Sequence, residues 1–400
     1  DIVREQINNN NTVIRQNEQS LSFKFCNLKP MDSRSVYKTI QLDLRQYEKL
    51  KMYIHAESQE GRDKLPGEGT NDDFDRRLVA FIRLGSDLND NYYQIEIPLK
   101  PTSYISGSSN RISSNDVWKP ETNSIDVPIS ILSRLKSKII NQGFDGLGYF
   151  DENLNFINEF EKISSLPGVK KYKFSVKGNP SLGSIQSMMI GIKNPSNQIG
   201  DNLCGEVWFN ELRIAGIKNQ GGWAAIGSLD GNIADLANFS VTGKLSTIGF
   251  GTIDNSPNQR SREEFRQYNF VSNINLGKFL PEKWGFQIPL NYSNGETKIT
   301  PEYDPFYDDI ILKDRIKNIE NSSLRDSVKN QSIDFTKRRS INLIGIKKIS
   351  QSDKSKFYDF QNFSFSYSYN EIFHHDYEIQ NQLNKRLNLS GEYTYSFSPN

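Results

Sequence analysis

Histidine and cysteine are nearly missing from this chain: its 400 residues include three histidines, His55, His374 and His375, and two cysteines, Cys26 and Cys204. So few imidazoles leave little room for histidine metal sites or histidine general bases. Two cysteines exclude a disulfide-dense scaffold or a Cys-rich zinc module and permit at most one bridge. Neither sign of charge dominates, since 49 Lys+Arg stand against 48 Asp+Glu for a net charge of +1, and a bulk basic surface for nucleic acid is excluded. No apolar run approaches the ~18 residues that a membrane-spanning helix requires. These absences point away from an enzyme, and no catalytic, cofactor-binding or metal-binding residue is assigned.

The ends of the chain suggest a piece of a longer protein. Asp1 is not a start methionine, no charged segment followed by an apolar one stands near it, and Tyr393, Tyr395 and Phe397 still alternate with polar residues close to Asn400.

Aromatic residues are present in quantity, at 12% of the sequence, and they are denser after Gly222 than before it. Two regions are therefore expected, 1–220 and 221–400, and both read as all-β. The first holds short β-rich segments bounded by Gly, Pro, Asn or Asp, as in 21–25, 50–55, 78–84, 92–99 and 206–214, which suggests a jelly-roll or galactose-binding-like β-sandwich over 18–218. One helix is expected over 129–142, where Ile131, Leu132, Leu135, Ile139 and Ile140 recur at helical spacing. In many such sandwiches the first and last strands are neighbours, and here these carry Cys26 and Cys204. A disulfide between them, implying an oxidising compartment, and a pair of buried free thiols both fit.

The second region alternates with a period of two. Tyr268, Phe270, Ile274 and Leu276 share one parity against Asn269, Asn273, Asn275 and a lone Val271. Trp284, Phe286, Ile288, Leu290 and Tyr292 oppose Gln287, Asn291 and Ser293, and Phe363, Phe365, Tyr367 and Tyr369 oppose Ser364, Ser366 and Ser368. A soluble sandwich would place more Lys and Glu on its outer face. Aromatic rows opposite Asn, Ser and Gln rows instead describe strands of a transmembrane β-barrel with a watered lumen. Seven candidate strands lie at 223–236, 238–251, 265–277, 284–297, 338–349, 360–372 and 377–398, with a long inserted loop at 297–337. Single-chain bacterial barrels have even strand numbers, so this set predicts part of a larger barrel. Asn269, Asn273, Asn275, Gln287, Asn291, Ser364 and Ser366 are assigned to the lumen; Tyr268, Phe270, Trp284, Phe286, Ile288, Phe365 and Tyr367 are assigned to lipid or another protein wall.

Five strings carry a family resemblance: GEVWFNELRIAG at 205–216, GWAAIGSLDGNIAD at 222–235, LPEKWGFQIPLNY at 280–292, ITPEYDPFY at 299–307 and KRRSINLIG at 337–345. With these the chain resembles the SprA/Sov family, most densely from about residue 205 to 370. The resemblance implies an outer-membrane translocon of the type 9 secretion system in Bacteroidetes-type bacteria, a single very large barrel that passes folded cargo to the cell surface and supports gliding motility. It also implies partners: cargo with a type 9 C-terminal signal, a PorV-type shuttle barrel, a periplasmic plug protein and outer-membrane lipid, with no nucleic acid. The alternative is a surface carbohydrate-binding adhesin, which would account for the sandwich alone.

Other motifs read blandly. Residues 143–148, Gly-Phe-Asp-Gly-Leu-Gly, lack the order of a dinucleotide loop. Asp87, Asn89 and Asn91 start like a calcium loop, but Tyr92 stands where the turn glycine belongs, so a hairpin turn is expected. No cofactor is expected, a structural calcium elsewhere in the sandwich being the one exception left open. His374, His375 and Asp376 lack convergent metal ligands. Asp304, Asp308 and Asp309 are expected at a solvated loop tip, followed by a helical stretch at 312–330; Lys337, Arg338 and Arg339 are expected to mark a membrane–water boundary.

Overall fold

The structure is a computed structural model and describes residues 6–9, 12–15, 19–58, 65, 78–102, 118, 120–142, 148–150, 156–157, 172–196, 199–349 and 356–395. The chain divides into two compact units, the first formed by residues 1–218 with 307–310, the second by 219–306 with 311–400. The first boundary falls two residues from the expected one.

The first unit begins with a hairpin of β1 (Gln6–Asn9) and β2 (Thr12–Arg15). Then come β3 (Leu21–Leu28), β4 (Ser33–Leu42), β5 (Tyr47–Glu57), β6 (Val79–Gly85), β7 (Tyr92–Pro98) and β8 (Ser124–Pro128). Helix α1 (Ser130–Gln142) follows, then β9 (Gly148–Phe150), β10 (Phe156–Ile157), β11 (Lys173–Lys177), β12 (Ile185–Lys193) and β13 (Leu203–Ile217). They form two antiparallel sheets, ordered β10-β9-β11-β7-β6-β12-β4 and β3-β13-β5-β8. The sheets are unequal, seven strands and four, rather than the paired fours of a jelly roll, but the expected adjacency holds: β3 pairs with β13. Cys26 and Cys204 are disulfide-bonded across that pair, so the bridge, not the pair of free thiols, is what the structure contains. A bridge closing so long a loop restricts the unfolded chain and contributes about 2–5 kcal/mol.

Alternation in β5 sends Leu50, Met52, Ile54 and Ala56 inward, and β13 sends Val207 and Phe209 to the same core. β6 and β7 are buried on both faces, which explains their nearly continuous apolar runs. Helix α1 starts one residue later than expected and contributes Ile131, Leu132, Leu135 and Ile139 to this core. The β6–β7 turn is held by Asp87: its Oδ1 accepts from the backbone N–H groups of Asn89, Asp90 and Asn91, and its Oδ2 from Asn91 Nδ2. Those donors, the Asp90 N–H foremost, hold the carboxyl well below the usual range. Its lone pairs are occupied by protein, as a hairpin turn requires. Of the Gly-rich segment, 143–147 lie outside the described residues.

Tyr307–Ile310 is compact with the first unit, and this corrects the solvated-tip expectation. Asp309 is buried; its Oδ1 accepts from Lys136 Nζ at 2.7 Å and its Oδ2 from the Tyr93 hydroxyl. Ser181 Oγ donates to Asp308 Oδ2 at 2.7 Å. Burial, and then the neighbouring Asp309 carboxylate, push the Tyr93 phenol up. Within the second unit Asp304 is also buried, paired with Arg315. The acidic string is therefore internal wiring.

The second unit has β14 (Ala224–Ile233), β15 (Ala237–Ser246), β16 (Glu263–Asn275), β17 (Phe286–Gln287), β18 (Pro289–Pro301), β19 (Asp334–Lys348), β20 (Phe363–His375) and β21 (Gln382–Tyr393). They build one antiparallel sheet in chain order, with short β17 beside β19. All seven expected strands are present, with shifted limits. The expected strand 284–297 is broken: Glu282–Trp284 is a 3-10 turn and Gly285 adopts a left-handed φ of 64°. The inserted connection is shorter than 297–337, because β18 runs to Pro301 and β19 starts at Asp334. Its helical part is two helices, α2 (Leu312–Lys317) and α3 (Ser322–Gln331). The break has a local cause: the Asn321 side chain accepts from Ser323 and Leu324 N–H and starts α3 afresh. Among the described residues no helix is long and apolar enough to cross a membrane, which says nothing about strands.

Candidate functional site

Strand register fixes which side chains share a face of the second unit's sheet, since paired residues of antiparallel strands point the same way. One register row runs Asn232, Asn238, Asn273, Asn291, Asn342, Ser368, Asn388 across seven strands. The middle of this row is a hydrogen-bonded ladder. Asn273 Nδ2 donates to Asn238 Oδ1 at 2.8 Å, Asn291 Nδ2 to Asn273 Oδ1 at 2.6 Å, Asn342 Nδ2 to Asn291 Oδ1 at 3.4 Å, and Ser368 Oγ to Asn342 Oδ1 at 2.6 Å. Asn269 lies in a row with Thr242 and Gly295 on this face. A Cβ on Gly295 would collide with the Asn269 amide oxygen, so glycine there admits the close approach.

Gln287 pairs with Lys347 and Lys347 with Ser364, and Gly345 N–H donates to Ser366 Oγ at 3.0 Å. A recess of about 430 Å³ on the polar side is lined by Asn232, Asn238, Asn273, Asn275, Gln287, Asn291 and Asn342 among others. Asn275 ends β16 with its Oδ1 buried and unbonded. The polar face is not wholly polar: Ile226, Val271 and Ile372 sit on it and are exposed.

The opposite face is apolar. One row runs Ile233, Ala237, Ile274, Leu290, Leu343, Tyr367, Leu389, and the next brings Phe239, Tyr292, Ile341, Tyr369 and Leu387 together. Phe270 packs against Tyr292 with ring centroids 6.1 Å apart. Ser272 has the apolar parity but is buried, its hydroxyl donating to the Asn238 carbonyl. Trp284 and Ile288 fall outside the strands, Trp284 in the 3-10 turn and Ile288 between β17 and β18.

The apolar band has two edges, and both slant. At one edge the first charged residue on this face is Arg266 on β16, Glu296 on β18, Arg339 on β19, Glu371 on β20 and Lys385 on β21. Arg266 lies opposite Lys298, two residues past Glu296, and Glu296 lies opposite Lys337, two residues past Arg339; Arg339, Glu371 and Lys385 are in one row. The edge thus shifts two residues per strand from β16 to β19 and is level from there to β21, a mean of about one residue per strand. With a rise of ~3.3 Å and a strand spacing of ~4.8 Å this is a mean tilt of roughly 35°. At the other edge the band ends near the β14–β15 turn, where Asp235 meets Lys278, but on β20 and β21 it reaches farther, to Phe363 and Tyr393. There Phe363 and Tyr393 are 5.0 Å apart, Phe360 and Phe365 6.1 Å, Phe286 and Phe360 6.4 Å, and the Tyr393 hydroxyl donates to the Phe357 carbonyl. From Phe363 to Glu371 the band is roughly 20–25 Å tall once tilted. The cations expected at a boundary divide between faces: Lys337 and Arg339 lie on the banded one, Arg338 on the polar one.

Sequence parity found both faces but not the ladder or the slant, which depend on register. It also misleads beyond Leu343: a bulge there, with Gly345 at φ 76°, shifts the register so that Lys347 returns to the polar side. Among the described residues no group of His, Cys, Asp and Glu is placed to hold a metal. His374 instead meets Thr336 Oγ1 at 2.9 Å and Asp376 Oδ2 at 3.2 Å. His55 is buried beside Trp208, ring centroids 4.8 Å apart, with Nε2 3.2 Å from Glu57 Oε2.

Residues 2–316 match the SprA_N family, described as motility related/secretion protein. The chain belongs to that family. The match takes in residues 2–218 of the first unit's main segment and the sheet as far as β18, reaching farther toward the N-terminus than the densest resemblance at 205–370. No curated protein matches the chain. As a SprA_N member it is a motility- and secretion-related protein.

Proposed function

We propose that the second unit is a section of wall in a large outer-membrane barrel and that the protein is the translocon of type 9 secretion, passing folded cargo to the cell surface and supporting gliding motility. The observation that carries this reading is the slanted apolar band, bounded by charges at one edge and aromatic rings at the other. A sheet packed on a soluble core needs no such edges, whereas tilted strands crossing a flat hydrocarbon layer produce them. In this reading Tyr268, Phe270, Phe286, Phe365 and Tyr367 face lipid or a neighbouring wall, and Asn269, Asn273, Asn275, Gln287, Asn291, Ser364 and Ser366 face a watered lumen. The amide ladder suits that lumen: it holds water, stays uncharged and gives cargo little apolar surface to adhere to. Passage of a folded protein requires a diameter beyond ordinary porins, hence more strands than this sheet has.

The work asked of the protein is conduction, with no catalytic group and no cofactor. Partners in this reading are cargo with the C-terminal signal, a PorV-type shuttle barrel, a periplasmic plug protein and outer-membrane lipid. An adhesin would leave the banded sheet without a purpose. Removing the protein from cells is expected to strand signal-bearing cargo in the periplasm; normal surface delivery in its absence would refute the translocon role.

A further inference from the structure

The charged edge of the band is not balanced. Lys337 pairs at 2.7 Å with Glu296, which also meets the Tyr268 hydroxyl, but Arg339 and Lys385 share the single carboxylate of Glu371 at 3.8 and 3.9 Å. These three residues occupy one row on adjacent strands β19, β20 and β21. Next along the same strands and on the same face come Ile341, Tyr369 and Leu387, then Leu343, Tyr367 and Leu389, with Leu387 and Leu389 exposed. Two partly exposed cations around one carboxylate, directly bordering an open apolar track, match a molecule with a phosphate at one end and acyl chains behind it. Cationic stems that lie along apolar surface while their heads reach the polar layer are the expected form of such contacts.

We infer that Arg339 and Lys385, spaced by Glu371, form a site for the phosphate of an anionic membrane lipid whose acyl chains lie over Ile341, Leu343, Leu387 and Leu389. This rests on the membrane reading above. Tyr369 is part of the device: its hydroxyl donates to Glu371 Oε2 at 2.5 Å and fixes the carboxylate between the two cations.

The test uses the full-length protein reconstituted into phosphatidylcholine vesicles doped with spin-labelled lipid. Phosphatidylglycerol is expected to associate with the protein roughly five-fold more than phosphatidylcholine, about one cation's worth of attraction. An Arg339→Gln, Lys385→Gln double variant should lose that preference, and Glu371→Gln, which keeps both cations, should increase it. Lys244→Gln, on the polar face, should change nothing. Equal association of the two lipids in the inserted wild-type protein would overturn the site while leaving the membrane reading standing. Abolition of the preference by millimolar inorganic phosphate would overturn the lipid assignment in favour of a free anion. Failure of the protein to enter vesicles at all would instead sink the membrane reading itself.

Discussion

In the first unit Ile54, Ala56 and Leu135 are 0% exposed, whereas in the second Leu229, Leu387 and Leu389 are 63%, 56% and 71% exposed. Both units are antiparallel β and both alternate, yet the first encloses its apolar side chains in one core and the second spreads them over a face. The difference shows that alternation alone does not tell a sheet that closes over a core from one that leaves its apolar face open. What separates them is the far side of each strand: Lys49, Lys51 and Asp126 form ion pairs on β5 and β8 in the first unit, while Asn and Ser rows oppose the rings in the second.

Substitutions sharpen this contrast, beginning with the largest effect. Lys136→Met leaves Asp309 buried without its cation and is expected to destabilise the first unit by about 3–5 kcal/mol in denaturant unfolding, with a Lys136→Met, Asp309→Leu double variant recovering much of it. Leu135→Ala, in the packed core, should cost about 2–5 kcal/mol. Leu387→Ala, on the open face, should cost far less; equal losses at the two leucines would erase the distinction drawn between the units. Reversing the test, Phe270→Arg places a charge in the band and should cost about 2–4 kcal/mol in bilayers, while Asn269→Arg, one residue away, should be tolerated. The smallest effect is on pH. The Asp87 carboxyl is held below its ordinary value by the Asp90 N–H and its other donors, so its contribution is present above the unfolded pKa of about 4 and is lost as pH falls through the folded value. Asp87→Asn should flatten the acid limb of the first unit's stability curve.

The sequence made the alternation legible because the period of two survives any choice of partner strand, and it did so for most of β16 and β20, although Leu276, counted with the first of them, lies in a 3-10 turn after it. The helix α1 was equally plain from Leu132, Leu135 and Ile139. What lay hidden depended on long-range register. Asn238, Asn291 and Asn342 look like unrelated polar residues until pairing puts them in one row, and Arg266 and Lys385 mark one sloping boundary only after the strands are aligned. The burial of Asp309 was hidden for the same reason: its partners Lys136 and Tyr93 are far away in sequence, and an acidic string in a long connection gives no local sign of them.

The central claim is that the two faces of β16 and β20 meet lipid and water respectively, with the lipid band running obliquely to the strands. A nitroxide scan of the full-length protein in bilayers, comparing collision with oxygen and with a water-soluble nickel chelate, tests it directly. The account predicts oxygen-favoured labels at 268, 270, 365 and 367, nickel-favoured labels at 269, 273, 364 and 366, and deepest positions that step along the chain from strand to strand by about one residue. The same parity inverted, or both faces reached equally by the chelate, would contradict it.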